Sequence, residues 1–258
     1  MPVDNTIYDL PGDQWWSDDA PLAAIRTALN PGRLQYLSRV FAELGIDPRG
    51  RRAVDVGCGG GLLAEELARL GLHVTGVDPS LPSLEVARRH ASGSGLQVEY
   101  LHGAGEALPL PDATFDVALC CDVLEHVADV EQVLAEISRV LRPSGLLVYD
   151  TINRTLASRL VVIGLLQEWP WSRFMPPNLH AWDRFIMPSE LVAGMERHGL
   201  SSLGYTGLKP VAGPARLVRL LRRRRRREIS AAELGRGAVM GLSADTSILY
   251  VGHARRRA

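Results

Sequence analysis

Cysteine is scarce in this 258-residue chain, which has three. Cys58 stands in a glycine cluster and Cys120 and Cys121 are neighbours, unlike the spaced cysteines of a disulfide framework. A reducing cytoplasm is the expected home. Net charge is zero, so the bulk balance points to neither nucleic acid nor an acidic surface. The longest apolar stretch, Leu156 to Leu166, is broken by Ser158, Arg159 and Gly164 and is too short to span a bilayer. Met1 to Leu10 lacks a basic-then-apolar export pattern, so export is not expected. No internal repeat is visible. What remains is an ordinary globular composition, 46% hydrophobic and 22% charged, long enough for one large α/β domain and short for two.

Apolar runs of strand length alternate with helical patterns from Ala53 onward. Strands are expected at Ala53 to Val56, Val74 to Val77, Val98 to Leu101, Phe115 to Cys121 and Leu146 to Thr151. Helices fall between them, and two more strands follow at Leu200 to Thr206 and Ser247 to Gly252. This alternation predicts a mostly parallel, seven-stranded sheet with helices on both faces. Ligands in such folds sit beyond the carboxyl ends of the strands. Asp55 to Gly61, Asp78, Gly105-Glu106, Cys121 to His126 and Asn153 all fall at such ends. Ahead of the sheet, Pro21 to Leu29 and Leu34 to Leu44 read as two helices parted by Asn30-Pro31-Gly32. Residues 1–50 are expected to form lid helices, and 51–258 the main domain.

The turn Asp55-Val56-Gly57-Cys58-Gly59-Gly60-Gly61 carries the chemistry. Its glycines let backbone approach a ligand closely, as in nucleotide-binding βαβ units. A pyrophosphate would need the positive N-terminus of the following helix, and Asp55 would repel it. A carboxylate there suits a ligand with a free ammonium and no phosphate, such as S-adenosylmethionine. Asp78, followed by Pro79 at the end of the second strand, is placed to accept from both ribose hydroxyls, or to cap the next helix.

Residues 51–151 thus resemble the class I S-adenosylmethionine-dependent methyltransferases, with their Rossmann-like α/β fold. Trp15-Trp16, Asn30 to Leu34, Asp55 to Gly61, Leu124 to Val127, Thr151 to Arg154 and Phe185 to Leu191 narrow the likeness. In that order they resemble the UbiG family, O-methyltransferases of ubiquinone biosynthesis that act on polyprenylated catechol-type rings. The resemblance implies cofactor contacts from Arg33, Gly57, Asp78 and Cys121, with Gly105 and Glu106 at the adenine edge; Gly59 of the same turn is a further expected contact. Arg33 would meet the methionine carboxylate, which a guanidinium fork suits. Ala104 stands where many class I enzymes have an acid, so backbone amides are expected to recognise adenine.

Asp122-Val123-Leu124-Glu125-His126 matches a Glu-x-x-Glu-His divalent-metal site of relatives, with Asp for the first Glu. Three readings stay open: Mg²⁺ or another divalent cation on Asp122, Glu125 and His126, His126 as a metal-free general base, or a structural cap. The first two would both ease removal of a phenolic proton. His180, in a loop that has lost the family's Gly-Thr, reads first as structural. Trp169, Trp171 and Trp182 suit an aromatic pocket, a membrane interface or simple packing. Arg222 to Arg227 lies in an insertion around 210–240. It reads as a solvated face, as a basic amphipathic helix for anionic membrane, or, least well, as a nucleic-acid contact. The expected activity is methylation of a phenolic oxygen on a small aromatic acceptor. Its rivals are a methyltransferase of another specialised metabolite and a cofactor-binding protein without turnover.

Overall fold

Strand β1 (Arg52–Val56) lies at the centre of the sheet, and its last four residues are buried. Helices cover both its faces, which is why it reads as a continuous apolar run rather than an alternating one. The chain is described here by a computed structural model over residues 4–9, 15–20, 22–170, 172–173 and 175–258. Parallel to β1 run β2 (His73–Asp78), β3 (Val98–His102), β4 (Phe115–Cys121) and β5 (Leu141–Ile152). The sheet continues antiparallel through β8 (Leu249–Arg256), β6 (Leu200–Pro210) and β7 (Met240–Ser243), in the order β3-β2-β1-β4-β5-β8-β6-β7. Among the described residues there are therefore eight strands where seven were expected. The extra one, β7, pairs with the end of β6 after the arginine-rich segment and, at four residues, is too short to stand out in the pattern.

Alternate residues of β1 feed two apolar layers. Ala53 joins Tyr36, Phe41, Leu63, Leu67 and Leu84 on one face, while Val54 and Val56 join Val133, Leu134 and Ile137 on the other. The helices α2 (Leu62–Arg69), α3 (Leu81–Gly93) and α4 (Val130–Val140) are the crossovers between parallel strands. Chain direction across the sheet reverses between β1 and β4. The crevice outside their carboxyl ends is where this architecture binds ligands.

Two helices split at Asn30-Pro31-Gly32 were expected, but the chain stays helical there. A wide turn, Ile25–Leu29, with Asn30 N–H donating to Ile25 O, passes directly into α1 (Asn30–Leu44). Pro31 has no N–H to give, and a wider turn ahead of it absorbs the missing bond. Tyr36, Leu37, Val40 and Phe41 of α1 are buried in the core, and Tyr36 Oη lies 2.8 Å from His253 Nδ1. Pro21, assigned to the first helix from its sequence, lies outside the described residues.

After β5, α5 (Leu156–Ser158) leads into wide turns over Arg159–Glu168, and the described residues of 169–183 are largely irregular, as expected. Then follow α6 (Pro188–Arg197), α7 (Pro214–Arg225), which carries the first four arginines of the run, and α8 (Ala231–Gly237). No described helix is long and apolar enough to cross a membrane.

Candidate active site

Asp55 fills the position that a pyrophosphate would need. It sits at the end of β1, and the backbone of Ala64, in the first turn of α2, donates to its carboxylate. The helix N-terminus is thus already occupied by a protein anion. Burial pushes the Asp55 carboxyl up to about 7, partly opposed by the charge of Arg33. A ligand cation nearby would lower it again.

Asp78 is held at the end of β2 by two backbone donors: Gly59 N–H to Oδ2 and Ser80 N–H to Oδ1, each 2.8 Å. Each carboxylate oxygen keeps a further lone pair for a ligand. The helix-cap role belongs to Ser80, whose Oγ accepts from Ser83 N–H. Gly57, Gly59 and Gly61 adopt positive φ (72°, 50° and 82°), which only glycine enters cheaply. At Gly59 and Gly60 a Cβ would also strike Trp15, at 2.3 and 2.2 Å, so these two glycines make room for an indole as well. Trp15 Nε1 donates to Ser83 Oγ, and Trp16 Nε1 to Gly60 O.

These groups line one cavity of about 350 Å³. Arg33, Asp55, Gly57, Gly59, Asp78, Pro79, Gly105, Glu106 and Cys121, each singled out from the sequence, all face it, as do Asp122 and His126. Among the described residues, Asp9, Asp55, Asp78, Glu106 and Asp122 put five acids on its wall against one permanent cation, Arg33. Such a wall selects a ligand with net positive charge. Trp169 and Trp182 are absent from the wall, where Trp182 Nε1 instead donates to Thr155 O. Trp171 lies outside the described residues. The Cys121 thiol is pushed up by burial, with Asp150 adding to it, so it stays protonated.

Arg33 is more occupied than its expected role allows. Nε and Nη2 form a fork on Asp150 at 2.6 and 2.9 Å, Nη2 also meets Asp122 Oδ2 at 2.6 Å, and Nη1 donates to Asn30 Oδ1 at 3.1 Å. Of five N–H donors, one on Nη1 is left for a ligand. Burial works against the guanidinium charge, but Asp122 and Asp150 keep it protonated. Burial likewise opposes ionisation of Asp122, yet Arg33 holds its carboxyl below the usual range. The Asp122 backbone is left-handed (φ 56°), and its N–H donates to Asp150 Oδ1.

The predicted trio Asp122, Glu125 and His126 is therefore not the cluster that forms. Ligand atoms of Glu125, His126 and His180 lie within 4.8 Å of one another, and Asp122 turns to Arg33 instead. Glu125 Oε2 accepts from Thr151 Oγ1 at 2.8 Å, while Oε1 is buried with no partner among the described residues. Burial, with the Asp122 charge, pushes Glu125 up to about 8. Burial lowers His126 to about 4, and His180 to about 3 with help from His126, so both imidazoles are neutral at pH 7. Asn5 sets the His126 tautomer: Oδ1 is 3.1 Å from Nδ1, and Nδ2 donates to His126 O at 3.5 Å. That leaves the lone pair on Nε2. His180 Nδ1 is buried without a partner among the described residues, and its backbone is pinned both ways by the Gln167 amide.

Asn5, Tyr8, Asp150 and Gln167 escaped the sequence reading. Only Asp150 left a trace there, an acid closing the apolar run Leu146 to Tyr149. Tyr8 packs between Trp15 and His126, with ring centroids 5.8 Å from each.

The family model for a methyltransferase domain matches residues 54–149. The chain is 43% identical over 232 residues to the ubiquinone biosynthesis O-methyltransferase of Methylocella silvestris, covering 84% of this chain and 89% of that one. To its namesake in Azorhizobium caulinodans it is 38% identical over 209 residues, covering 78% and 81%. Among solved structures it resembles a SAM-dependent methyltransferase of Thermotoga maritima (21% identity, 95% and 94% covered, TM-score 0.59). It also resembles one of Aquifex aeolicus (16%, 92% and 94%, TM-score 0.57), and these two likenesses speak for the fold. An acid-walled crevice at the switch point and relatives this similar over most of the chain lead to one assignment: the chain belongs to the ubiquinone biosynthesis O-methyltransferase family and is an S-adenosylmethionine-dependent methyltransferase.

Proposed function

We propose that the chain methylates a phenolic oxygen of a catechol-type ubiquinone precursor. The observation that carries the cofactor half of this reading is the cavity wall, five acids against Arg33. S-adenosylmethionine carries an ammonium, a sulfonium and one carboxylate, so it brings the net positive charge the wall lacks. It supplies the sulfonium methyl to the acceptor oxygen and leaves as S-adenosylhomocysteine. Asp78 accepts from the ribose hydroxyls through the lone pairs not used by Gly59 and Ser80. Asp55 faces the ammonium, and the remaining Nη1 proton of Arg33 faces the carboxylate. Gly105 and Glu106 border the adenine. The protein's share of the rate is alignment of donor and acceptor, with the site closed by Tyr8 and Trp15.

The acceptor must lose a proton whose pKa lies well above neutral. His126, whose Nε2 lone pair is available, is the group we assign to receive it, with the charge of Asp122 supporting the imidazolium against the opposing effect of burial. The cluster also fits a divalent cation held by Glu125, His126 and His180, because two of its buried atoms, Glu125 Oε1 and His180 Nδ1, lack partners. Such a cation would supply Lewis acidity toward the phenolic oxygen. Two imidazoles and one carboxylate favour a transition metal over Mg²⁺.

Labelled S-adenosylmethionine and a panel of short-prenyl catechols, with and without chelator, test the reading. Transfer lost on chelation supports the cation, and transfer that survives leaves His126 as a metal-free base. Cofactor binding with no transfer to any catechol would reject the acceptor.

A further inference from the structure

Eight of the chain's 29 basic residues lie in 214–227, a stretch without an acid. The rest of the chain therefore carries 21 basic against 29 acidic side chains, so neutrality conceals a separated cationic pole. The pole is an ordered helix: α7 has no buried residue, with Leu217, Leu220 and Leu221 half-buried and Arg216, Val218, Arg219 and Arg222 exposed. No acidic side chain among the described residues pairs with Arg216, Arg219 or Arg222.

Topology sets which way this pole faces. β8 is antiparallel to β5 and β6 is antiparallel to β8, so β6 runs with the parallel strands. α7 follows the end of β6 and therefore leaves the sheet at its carboxyl edge, the edge that bears the cavity. It is braced to the cover of the site. Arg224 reaches Asp19, and Ala232 N–H donates to Asp18 O at 2.9 Å. Asp18 in turn pairs with Arg26, which donates to Trp16 O above the glycine turn.

We propose that α7 is a docking element for an anionic lipid bilayer, setting the carboxyl edge of the sheet, and with it the cavity, against the membrane surface. Clustered arginines on an amphipathic helix match anionic headgroups. Val211 and Val218, 75% and 47% exposed beside them, suit the headgroup layer and have no use against a phosphodiester backbone. Excess acid elsewhere disfavours a long polyanion that would run past the patch. The purpose of docking rests on the proposed prenylated acceptor, whereas docking itself does not.

The test is flotation of the full chain with vesicles of phosphatidylcholine, alone or mixed with phosphatidylglycerol, at rising salt and without acceptor. Binding is expected only to the mixed vesicles and should weaken with salt. Arg216→Gln/Arg219→Gln/Arg222→Gln keeps good helix formers. At about 1 kcal/mol per arginine, or roughly fivefold each, it should weaken binding on the order of a hundredfold. Its circular dichroism, S-adenosylhomocysteine binding and methyl transfer to a detergent-dispersed catechol should match the unsubstituted chain. Equal binding to both vesicle types, no binding, or undiminished binding by the variant would overturn the proposal. So would preference for an oligonucleotide over vesicles, or salt-sensitive self-association in place of vesicle binding. Failure of the unsubstituted chain to methylate a dispersed catechol would instead count against the proposed reaction alone.

Discussion

Arg33, on α1, and Asp150, near the end of β5, form a buried two-pronged ion pair 117 positions apart in the chain. The pair ties the N-terminal helix to the sheet at the point where Asp122 also gathers. Removing one member of a buried pair leaves an uncompensated charge, at a cost of about 3–5 kcal/mol. Asp150→Asn should therefore lower unfolding stability in urea by that amount. Asp122→Asn, on the less buried side of Arg33, should cost less and free an Nη2 proton for the cofactor carboxylate. A loss under about 1 kcal/mol for Asp150→Asn would mean that Arg33 is sufficiently paired without it.

Asp78→Ala should weaken S-adenosylhomocysteine binding by about two orders of magnitude, the loss of roughly 3 kcal/mol in charge-assisted bonds to two hydroxyls. Calorimetric titration reads the affinity. Because the change also strips Gly59 and Ser80 of their acceptor, thermal unfolding must show that the chain still folds. Unaltered affinity would displace the ribose from this position.

Glu125 gives a signed pH dependence. Its carboxyl titrates near 4.5 when unfolded and at about 8 when folded, a raised value that favours the protonated native form. Its contribution to stability is complete below pH 4.5, falls as pH rises through the window to about 8, and is flat beyond. Glu125→Gln should abolish that part of the stability–pH slope. A slope identical in both proteins would assign the proton elsewhere.

The cation trio can be read without turnover. His180→Ala should lower Zn²⁺ or Co²⁺ affinity tenfold or more, while Asp122→Asn should leave it nearly unchanged. Titration calorimetry and the visible spectrum of the Co²⁺ form report it. The reverse ranking would restore the trio expected from sequence.

Gly60→Ala isolates the indole contact, since Gly60, unlike its neighbours, lacks a positive φ. A Cβ 2.2 Å from Trp15 Cγ must push the ring away and uncover the cavity. Intrinsic fluorescence should shift to the red, and the shift should vanish in a Trp15→Phe background.

Much of the site was legible because it is local. Glycines at fixed offsets after a strand, an acid two residues before them and an acid closing the next strand are short-range patterns, and strand–helix alternation places them on one edge. Every residue singled out from the sequence for a cofactor contact lines the same cavity. The exceptions came from competition. Asp122 reads as a metal ligand beside Glu125 and His126, yet Arg33, 89 positions earlier in the numbering, takes it.

The sequence alone thus determined the fold class, the edge of the sheet that bears the cavity and the sign of charge around that cavity, since each depends on periodicity and turn chemistry within a few residues. Only the tertiary structure decided that His180 joins Glu125 and His126, that Asp150 anchors Arg33, and that the arginine run is a helix braced to the cover of the site. Those outcomes turn on which of several acids and imidazoles reaches a given partner first in space, and spacing along the chain carries no record of it.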